Sequence, residues 1–250
     1  MTHLKKGPCI LNKIHAIIPA RGGSKGIPRK NIKLLGRYPL IAYSIAACQM
    51  SKKIDRIIVS TEDEEIASIA RDYGAEIPFM RPAKYSTDIA TDVDFLNHFF
   101  DNIDGDEVAL VRPTTPLRNP RVIDEIVDFY FERKEGISGL RSLNELNESP
   151  YKLFQVVDGH CRGFFKDFNG IKEYSNLPRQ TFPMAYEANG HLDIVKRETV
   201  GHGTTFGTEI AGHIGPSVVD IDSIEDFKYA EYQIAVQENI LVKHLGGLHD

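Results

Sequence analysis

The feature that most constrains this fold is an apolar strand that runs directly into a cationic, glycine-rich loop. Residues 16–31 read AIIPARGGSKGIPRKN. Glycines let the backbone approach a ligand closely, and clustered cations require an anionic partner. The loop holds the glycines Gly22, Gly23 and Gly26 and the cations Arg21, Lys25, Arg29 and Lys30. The stretch therefore predicts an anion site at the end of a buried strand.

Strands and helices are predicted to alternate along most of the chain. Apolar runs predict strands at 14–20, 56–60, 75–80, 107–112, 136–143, 191–196 and 217–221. Helical spacing and capping residues predict helices at 39–50, 62–73, 92–103, 121–134 and 223–237. This alternation indicates an α/β fold with a mostly parallel sheet flanked by helices. The loops after residues 20, 80 and 112 should then share the ligand-binding edge of the sheet.

The second half of the chain interrupts this pattern. Residues 144–187 are rich in turn formers and contain a predicted hairpin at Asp158-Gly159. We interpret this segment as an arm inserted into a single domain that covers residues 13–240. Residues 1–12 are interpreted as an N-terminal extension.

Composition and charge exclude several classes of protein. The net charge is -5, whereas a general nucleic-acid binder is usually basic. The three cysteines form no CxxC pair, so a disulfide framework and a zinc site are both disfavoured. The N-terminal apolar run is too short for a signal peptide or a membrane span. We therefore expect a cytoplasmic protein that binds neither nucleic acid nor membrane.

The loop at 20–31 matches neither of two common phosphate-binding motifs. Its glycine spacing fails the G-x-G-x-x-G dinucleotide fingerprint, and its lysine precedes the last glycine, unlike a Walker loop. What remains is a nest of backbone N–H groups with separated cations, which suits an extended triphosphate. A solvated basic loop is the alternative.

The motifs resemble those of the CMP-sialic acid synthetase family, the acylneuraminate cytidylyltransferases. The matching segments are PARGGSKGIPRKN, IIVSTEDEEIASIARDYGAE, MRPAKYSTDIATD, RPTTPLRNP, LPRQTFPMAYEANG and VVDIDSIEDFKYAE. The resemblance implies a Rossmann-like nucleotidyltransferase that moves CMP from CTP to the anomeric hydroxyl of a nonulosonic acid, for surface glycan synthesis. It also implies Mg²⁺ as the metal and a homodimer joined through the arm.

The nucleotide site is assigned to the cationic loop and to the loop after residue 80. Arg21 and Lys25 are expected to hold the triphosphate, and Lys30 to lie nearest the α-phosphate, where charge builds up. By resemblance, Arg81 lies around the base and ribose. The full set of expected nucleotide-binding residues is Ala20, Arg21, Gly22, Gly23, Lys25, Lys30, Asn31, Arg81 and Thr87.

Two aspartates near the C-terminus form the expected magnesium site. On a strand, Asp220 and Asp222 would face the same side and Ile221 the other. Mg²⁺ prefers a few carboxylates together with substrate phosphates. Asp222 is also expected to help deprotonate the attacking hydroxyl. The alternative is that Asp222 simply begins the following helix.

The resemblance places the sugar acid near a second group of residues, with Arg179 counted among the catalytic residues. This group is Arg112, Thr114, Arg179, Gln180, Glu187 and Asn189. Arginine suits the carboxylate of the acid, although Arg179 could also be an ordinary basic residue of the arm. Arg112 stands where the family often has glutamine. This departure favours an acceptor other than plain N-acetylneuraminate.

Two other functions remain as alternatives. The first is a nucleotidyltransferase of the same fold that uses another nucleotide or sugar. The second is a non-catalytic sensor, which is disfavoured because both the phosphate cations and the acid pair are present.

Overall fold

The computed structural model describes residues 12–248. The N-terminal extension interpreted from the sequence lies outside the described residues apart from Asn12. The strands are β1 (Ile14–Pro19), β2 (Leu34–Leu35), β3 (Tyr38–Pro39), β4 (Ile54–Ser60), β5 (Glu107–Leu110), β6 (Gly139–Glu145), β7 (Phe154–Val157), β8 (His160–Gly163), β9 (Tyr186–Ala188), β10 (Asp193–Lys196) and β11 (Ile210–Ile214). The helices are α1 (Leu40–Met50), α2 (Glu64–Asp72), α3 (Asp92–Asn102), α4 (Pro120–Phe131), α5 (Arg197–Gly201), α6 (Ile224–Val236) and α7 (Ile240–Gly246).

A seven-stranded sheet forms the centre of the molecule. Its order is β11-β6-β10-β5-β1-β4, and β9 also pairs with β6. The pairs β1/β4, β1/β5 and β6/β11 are parallel, whereas β10 runs antiparallel to both of its neighbours. The prediction of a mostly parallel sheet flanked by helices is confirmed. Antiparallel β10 begins at the edge where β5 ends, since Asp193 pairs with Leu110, and it runs back toward the start of β5.

Alternate residues of β1, the strand before the cationic loop, pack into two separate cores. Ala16 and Ile18 pack into the larger apolar cluster, which includes residues of α1, α4, α6 and α7. Ile17 packs into a smaller cluster with residues of α3. A strand that is buried on both faces must be apolar throughout, which explains the continuous run before the cationic loop. The strand is thereby fixed, and so is the start of the loop.

Two predicted strands are absent from the described part of the chain. Residues 75–80 make a single bridge, from Glu76 to Ile58, because Pro78 lacks the N–H that a ladder requires. Residues 217–221 have no strand pairing, and the Ile221 N–H instead bonds the Thr114 carbonyl at 2.8 Å. Neither stretch forms a strand: the first pairs with the sheet only at Glu76, and the second bonds the loop after β5 through Ile221.

The segment interpreted as an arm contains the predicted hairpin. Strands β7 and β8 pair antiparallel, and both Asp158 (φ 52°) and Gly159 (φ 77°) have the positive φ that a tight hairpin turn requires. The arm has a small aromatic core in which Tyr151 stacks against Phe165 and Phe182. Its role in dimerisation stays a prediction. Within residues 12–248, no helix has both the length and the apolar character needed to span a bilayer.

Candidate active site

A cleft of about 430 Å³ opens at the edge of the sheet where the three loops were expected to meet. Its walls come from the cationic loop (residues 20–31), from residues 81–95, from the loop after β5 and from Asp222. We call it the active-site cleft. Nine of the sequence-predicted residues line it: Arg21, Lys25, Lys30, Asn31, Arg81, Thr87, Arg112, Thr114 and Asp222.

Two glycines of the cationic loop make close approaches to the protein itself. A Cβ on Gly22 would lie 2.6 Å from Asp63 Oδ2, and one on Gly26 would lie 2.7 Å from the Asp222 carbonyl oxygen. The Gly22 N–H donates to Glu62 Oε1 at 2.8 Å. That N–H therefore donates to a carboxylate in this structure, whereas the sequence predicted that it would donate to phosphate. Ala20 is fully buried beneath the loop, and a Cβ on Gly23 would meet open space.

One of the four loop cations stabilises the loop and does not face the cleft. Arg29 has φ 54° and contacts both Asp63 and Glu65 at the start of α2. The hydrogen bond from Arg29 holds the pKa of the Asp63 carboxyl below its usual range. Asp63 also caps α2 by accepting from the N–H groups of Glu65 and Ile66. The loop is thus tied to a helix N-terminus.

Arg21 and Lys25 converge on a single carboxylate. Arg21 Nη1 lies 3.2 Å from Asp88 Oδ1, and Lys25 Nζ lies 3.0 Å from Asp88 Oδ2. Arg21 Nη1 also donates to the Thr87 carbonyl at 3.0 Å. Two cations already directed at one anionic group form a geometry that phosphate oxygens can take over.

Lys30 links the cationic loop to the segment that contains the two aspartates. Its Nζ donates to the Ile221 carbonyl at 2.6 Å and lies 3.9 Å from Asp222 Oδ1. The Lys30 side chain is only 14% exposed, so its charge acts where water is scarce. Asn31 is buried and donates to the Arg21 carbonyl at 2.9 Å, which fixes the turn of the loop.

Arg81 forms a buried cationic wall of the cleft. Its Nε donates to Ser60 Oγ at 3.0 Å, and its guanidinium lies 4.9 Å from the centre of the Phe95 ring. Burial lowers the pKa of Arg81 to about 10, so the group stays charged at neutral pH. Arg81 and Thr87 both line the cleft, and their role in binding the nucleotide stays a prediction.

Asp220 and Asp222 flank a fully buried Ile221, and both aspartates are exposed. The alternation expected of them is therefore present, although this segment is not a strand. Asp222 lines the cleft, whereas Asp220 Oδ1 lies 3.4 Å from Thr115 Oγ1. Across residues 12–248, no group of three or more His, Cys, Asp or Glu side chains is placed to hold a metal ion by itself. This donor set fits Mg²⁺, which takes few carboxylates and completes its shell with substrate oxygens.

The residues expected to bind the sugar acid are divided between two places. Arg112 and Thr114 line the active-site cleft. Arg179 and Gln180 line a separate cleft of about 360 Å³ in the arm, with Phe182 and Met184. A single chain therefore does not bring Arg179 into the lining of the active-site cleft.

Glu187 and Asn189 are held by contacts with the protein. The exposed Glu187 accepts from Asn144 Nδ2 at 3.0 Å. The buried Asn189 accepts from the His191 N–H at 3.0 Å and donates to the Pro216 carbonyl at 3.3 Å. In this structure, Asn189 shapes the turn before β10.

Two similarities to known proteins establish the family of this chain. The sequence profile of the cytidylyltransferases matches residues 15–192. The CMP-N,N'-diacetyllegionaminic acid synthase of Legionella pneumophila is 41% identical over 244 residues, covering 92% of this chain and 100% of that protein. This chain belongs to the CMP-nonulosonic acid synthetase family of cytidylyltransferases.

Two further relatives agree with this assignment. The N-acylneuraminate cytidylyltransferase of Escherichia coli is 33% identical over 222 residues, which are 87% of this chain but 51% of that protein. The chain thus spans about half the length of that relative. A CMP:2-keto-3-deoxy-manno-octonic acid synthetase solved with CTP has a TM-score of 0.67 at 13% identity, covering 89% of this chain and 98% of that one. That likeness supports the fold.

Several residues of this cytidylyltransferase were missed as members of the site. Arg118 is fully buried and donates to Ser44 Oγ and to the carbonyls of Arg112, Gly190 and His191. Burial lowers the pKa of Arg118 to about 10. This arginine holds the loop after β5 against the turn before β10. The only sequence signal for it was a lone arginine inside the loop PTTPLRNP.

Asp88 lies in the matching segment MRPAKYSTDIATD but was not counted among the site residues, although its two cation partners were. The carboxylates were assigned to the metal and to the sugar acid, so Arg21 and Lys25 were predicted to have no partner anion within the protein. Taken together, the cleft of this cytidylyltransferase is lined by five cationic side chains and by the exposed carboxylate of Asp222; the cations are Arg21, Lys25, Lys30, Arg81 and Arg112. This set can bind a polyphosphate and position a hydroxyl against it.

Proposed function

We propose that this cytidylyltransferase transfers CMP from CTP to the anomeric hydroxyl of a nonulosonic acid in the active-site cleft. The hydroxyl oxygen forms a bond to the α-phosphorus, the bond from that phosphorus to the bridging oxygen breaks, and pyrophosphate leaves. The hydroxyl proton is lost to a base. The observation that carries the proposal is Lys30, held 3.9 Å from Asp222 at the meeting point of the cationic loop and the acid pair.

Phosphoryl transfer is accelerated mainly by positioning and by neutralising charge. In our proposal, the β- and γ-phosphates replace Asp88 as the partner of Arg21 and Lys25. Lys30 then neutralises charge at the α-phosphate, and Asp222 accepts the proton of the attacking hydroxyl. The low exposure of Lys30 strengthens its interaction with the developing charge.

Magnesium is part of the same proposal. Asp222 would hold the ion from the cleft, with Asp220 as the second carboxylate. When bound, Mg²⁺ supplies charge neutralisation on the phosphate oxygens. The exposure of both carboxylates supports this role, because an ion shared with a substrate must be reachable from solvent.

The acceptor is proposed to be a modified nonulosonic acid, with plain N-acetylneuraminate a poorer substrate. Two observations support this choice. The relative named for a diacetyl-legionaminic product matches over the full length of that protein, and Arg112 occupies a cleft position where the family often has glutamine.

Pyrophosphate release with CTP and Mg²⁺, measured across a panel of nonulosonic acids, tests this function. ATP, GTP and UTP serve as nucleotide controls, and a hexose 1-phosphate serves as the acceptor control. We expect release only with CTP, and fastest with a diacylated acid. Turnover of another nucleotide with the sugar phosphate would remove the proposed substrate assignment and leave the fold unchanged.

We also propose a homodimer whose arm completes the partner's active-site cleft. Arg179 lies outside the active-site cleft of its own chain. The arm exposes large apolar side chains that an interface would cover. They include Phe154 (50% exposed), Val156 (69%), Phe164 (60%) and Met184 (55%).

A mixed dimer distinguishes action across subunits from action within one chain. Differently tagged Arg179→Ala and Lys30→Met chains are co-expressed, and the doubly tagged species is purified. If Arg179 acts on the partner's cleft, the mixed dimer has one cleft with both residues intact and one cleft that lacks both. We then expect about half of the wild-type activity from the mixed dimer, while each homodimeric variant is nearly inactive. A mixed dimer as inactive as its parents, or a monomer in sedimentation, would contradict the proposal.

We further propose a cytoplasmic site of action. In the described residues, Cys48 and Cys161 are both free thiols. A reducing compartment keeps such thiols unpaired.

A further inference from the structure

The two cations proposed to hold the β- and γ-phosphates are already paired with an acid of the protein. The two oxygens of Asp88 face different partners, with Oδ1 3.2 Å from Arg21 Nη1 and Oδ2 3.0 Å from Lys25 Nζ. Among residues 12–248, neither cation has another carboxylate partner. All three side chains line the active-site cleft. A carboxylate therefore occupies the place that phosphate oxygens would need.

Few contacts hold Asp88 in this place. It lies in a turn, residues 86–90, between a short 3₁₀ helix (Ala83–Tyr85) and α3. In the described part of the chain, every hydrogen bond or ion pair that joins this turn to a distant segment goes to the cationic loop. Ile89, beside Asp88, is 90% exposed, so this side chain adds little packing. The turn can thus leave the loop at small cost.

The exposure of the two ion pairs makes them easy to exchange. The Asp88 side chain is 52% exposed, and that of Lys25 is 73% exposed. Ion pairs in contact with water add little stability, because solvent screens them. A phosphate group carries more negative charge and more acceptor oxygens than a carboxylate, so a bound triphosphate displaces Asp88. Asp88 is tethered, however, and is present at high effective concentration whenever phosphate leaves.

The competition is confined to one part of the nucleotide. Lys30, proposed to lie at the α-phosphate, contacts Asp222 and the Ile221 carbonyl and makes no ion pair with Asp88 among the described residues. CTP and pyrophosphate both have the phosphates that would meet Arg21 and Lys25. CMP has only the phosphate that would meet Lys30. Asp88 should therefore oppose the binding of CTP and pyrophosphate and leave the binding of CMP unaffected.

We propose that Asp88 is a tethered competitor of the β- and γ-phosphates, which pairs again with Arg21 and Lys25 after transfer and so promotes the release of pyrophosphate. This inference rests on the proposed function and adds to it a control on product release. Asp88 contacts no reacting atom in this proposal. Its presence weakens the binding of CTP, and in return the enzyme is less inhibited by its own product.

The test is calorimetric binding of CTP, pyrophosphate and CMP to the wild type and to Asp88→Asn, with Mg²⁺ present and no acceptor acid. Asparagine is nearly isosteric but has no charge with which to hold the cations. We expect both CTP and pyrophosphate to bind about 3- to 10-fold more tightly, which corresponds to Asp88 occupying the cations in about 70–90% of the unliganded enzyme. The affinity for CMP should change by less than about twofold, because the two sites are independent.

Product inhibition gives a second readout of the same competition. In turnover with CTP and a nonulosonic acid, the inhibition constant of pyrophosphate should fall in Asp88→Asn by the same about 3- to 10-fold. In a Lys25→Met background the change at Asp88 should tighten pyrophosphate binding less, because one of the two ion pairs is already absent. A purely structural role of Asp88 would not produce this dependence on Lys25.

Glu64→Gln provides the matched control. Glu64 is an exposed acid in the first turn of α2 and lies outside the cleft lining, so the same loss of charge there should leave all three affinities unchanged. Thermal unfolding of each variant identifies any that fail to fold. Lys25→Met, at an exposed side chain, keeps the comparison valid if Asp88→Asn unfolds, because it removes one of the same two ion pairs and should not tighten CMP binding.

Pyrophosphate binding that is unchanged or weaker in Asp88→Asn would overturn the inference. A variant that binds CMP more tightly by the same factor would overturn it as well, because the effect would then be a general change in charge. In both cases a wild type that binds CTP and turns it over with a nonulosonic acid still upholds the proposed function. A wild type that binds no CTP in the presence of Mg²⁺ would instead mark a failure of the proposed function itself.

Discussion

Replacing Lys30 with methionine is expected to lower kcat/KM for CTP by about 10²- to 10³-fold, the usual cost of losing one group that stabilises developing charge. Methionine keeps much of the length and packing of the side chain but removes the cation. The lost ammonium is the group that links the loop to the Ile221 carbonyl and to Asp222. Pyrophosphate release under varied CTP measures the effect, and most of the loss should appear in kcat.

Lys52→Met is the matched control for this prediction. Lys52 is exposed and lies outside the lining of the active-site cleft, so the same chemical change there should leave kinetics unaltered. Both variants should unfold within a few degrees of the wild type. A Lys30→Met enzyme with a normal kcat would show that the α-phosphate is stabilised by another group.

Replacing Asp222 with asparagine is expected to lower kcat by about 10²-fold and to raise the Mg²⁺ concentration needed for half-maximal rate. Asparagine is nearly isosteric, but it carries no charge and binds hard cations weakly. The same change also removes the proposed base for the acceptor hydroxyl. Rates measured over a magnesium titration test this, together with calorimetric binding of Mn²⁺ in the presence of CTP.

Glu225→Gln is the control for charge alone, because Glu225 is an exposed acid in the first turn of α6. Asp220→Asn should have a smaller effect than Asp222→Asn, since Asp222 is the member of the pair that lines the cleft. An Asp222→Asn enzyme with an unchanged magnesium dependence would contradict the assignment of the metal site.

The sheet and its helices could be predicted because the signals are local. Capping residues mark α3 and α6, where Thr91 with Asp94 and Ser223 with Asp226 form capping boxes. Two strand predictions are wrong because strand formation also depends on pairing with a neighbouring strand, which is not a local signal. Apolar stretches at 75–80 and 217–221 look like strands, but the available sheet edges and Pro78 decide whether they join a ladder.

The site was predictable where residue type dictates chemistry, as with the loop cations and the acid pair. Partner choice was not predictable, because ion pairs join residues that lie far apart in the sequence. Arg29 turns to Asp63 and Glu65 and not to the cleft, and Arg112 is neutralised by two aspartates from other elements. The position of Arg179 was also not predictable, because the sequence does not show that Arg179 lies outside the active-site cleft of its own chain.

The central claim is that the cationic loop binds the triphosphate of CTP, and a crystal structure with a non-hydrolysable CTP analogue and Mg²⁺ tests it most directly. Phosphate oxygens are predicted within about 3 Å of Arg21, Lys25 and Lys30, the ordinary hydrogen-bond distance. Asp88 should have released both of its cation partners, which lie 3.2 Å and 3.0 Å from it in the present structure. A triphosphate bound elsewhere, with Arg21 and Lys25 still paired to Asp88, would contradict the account.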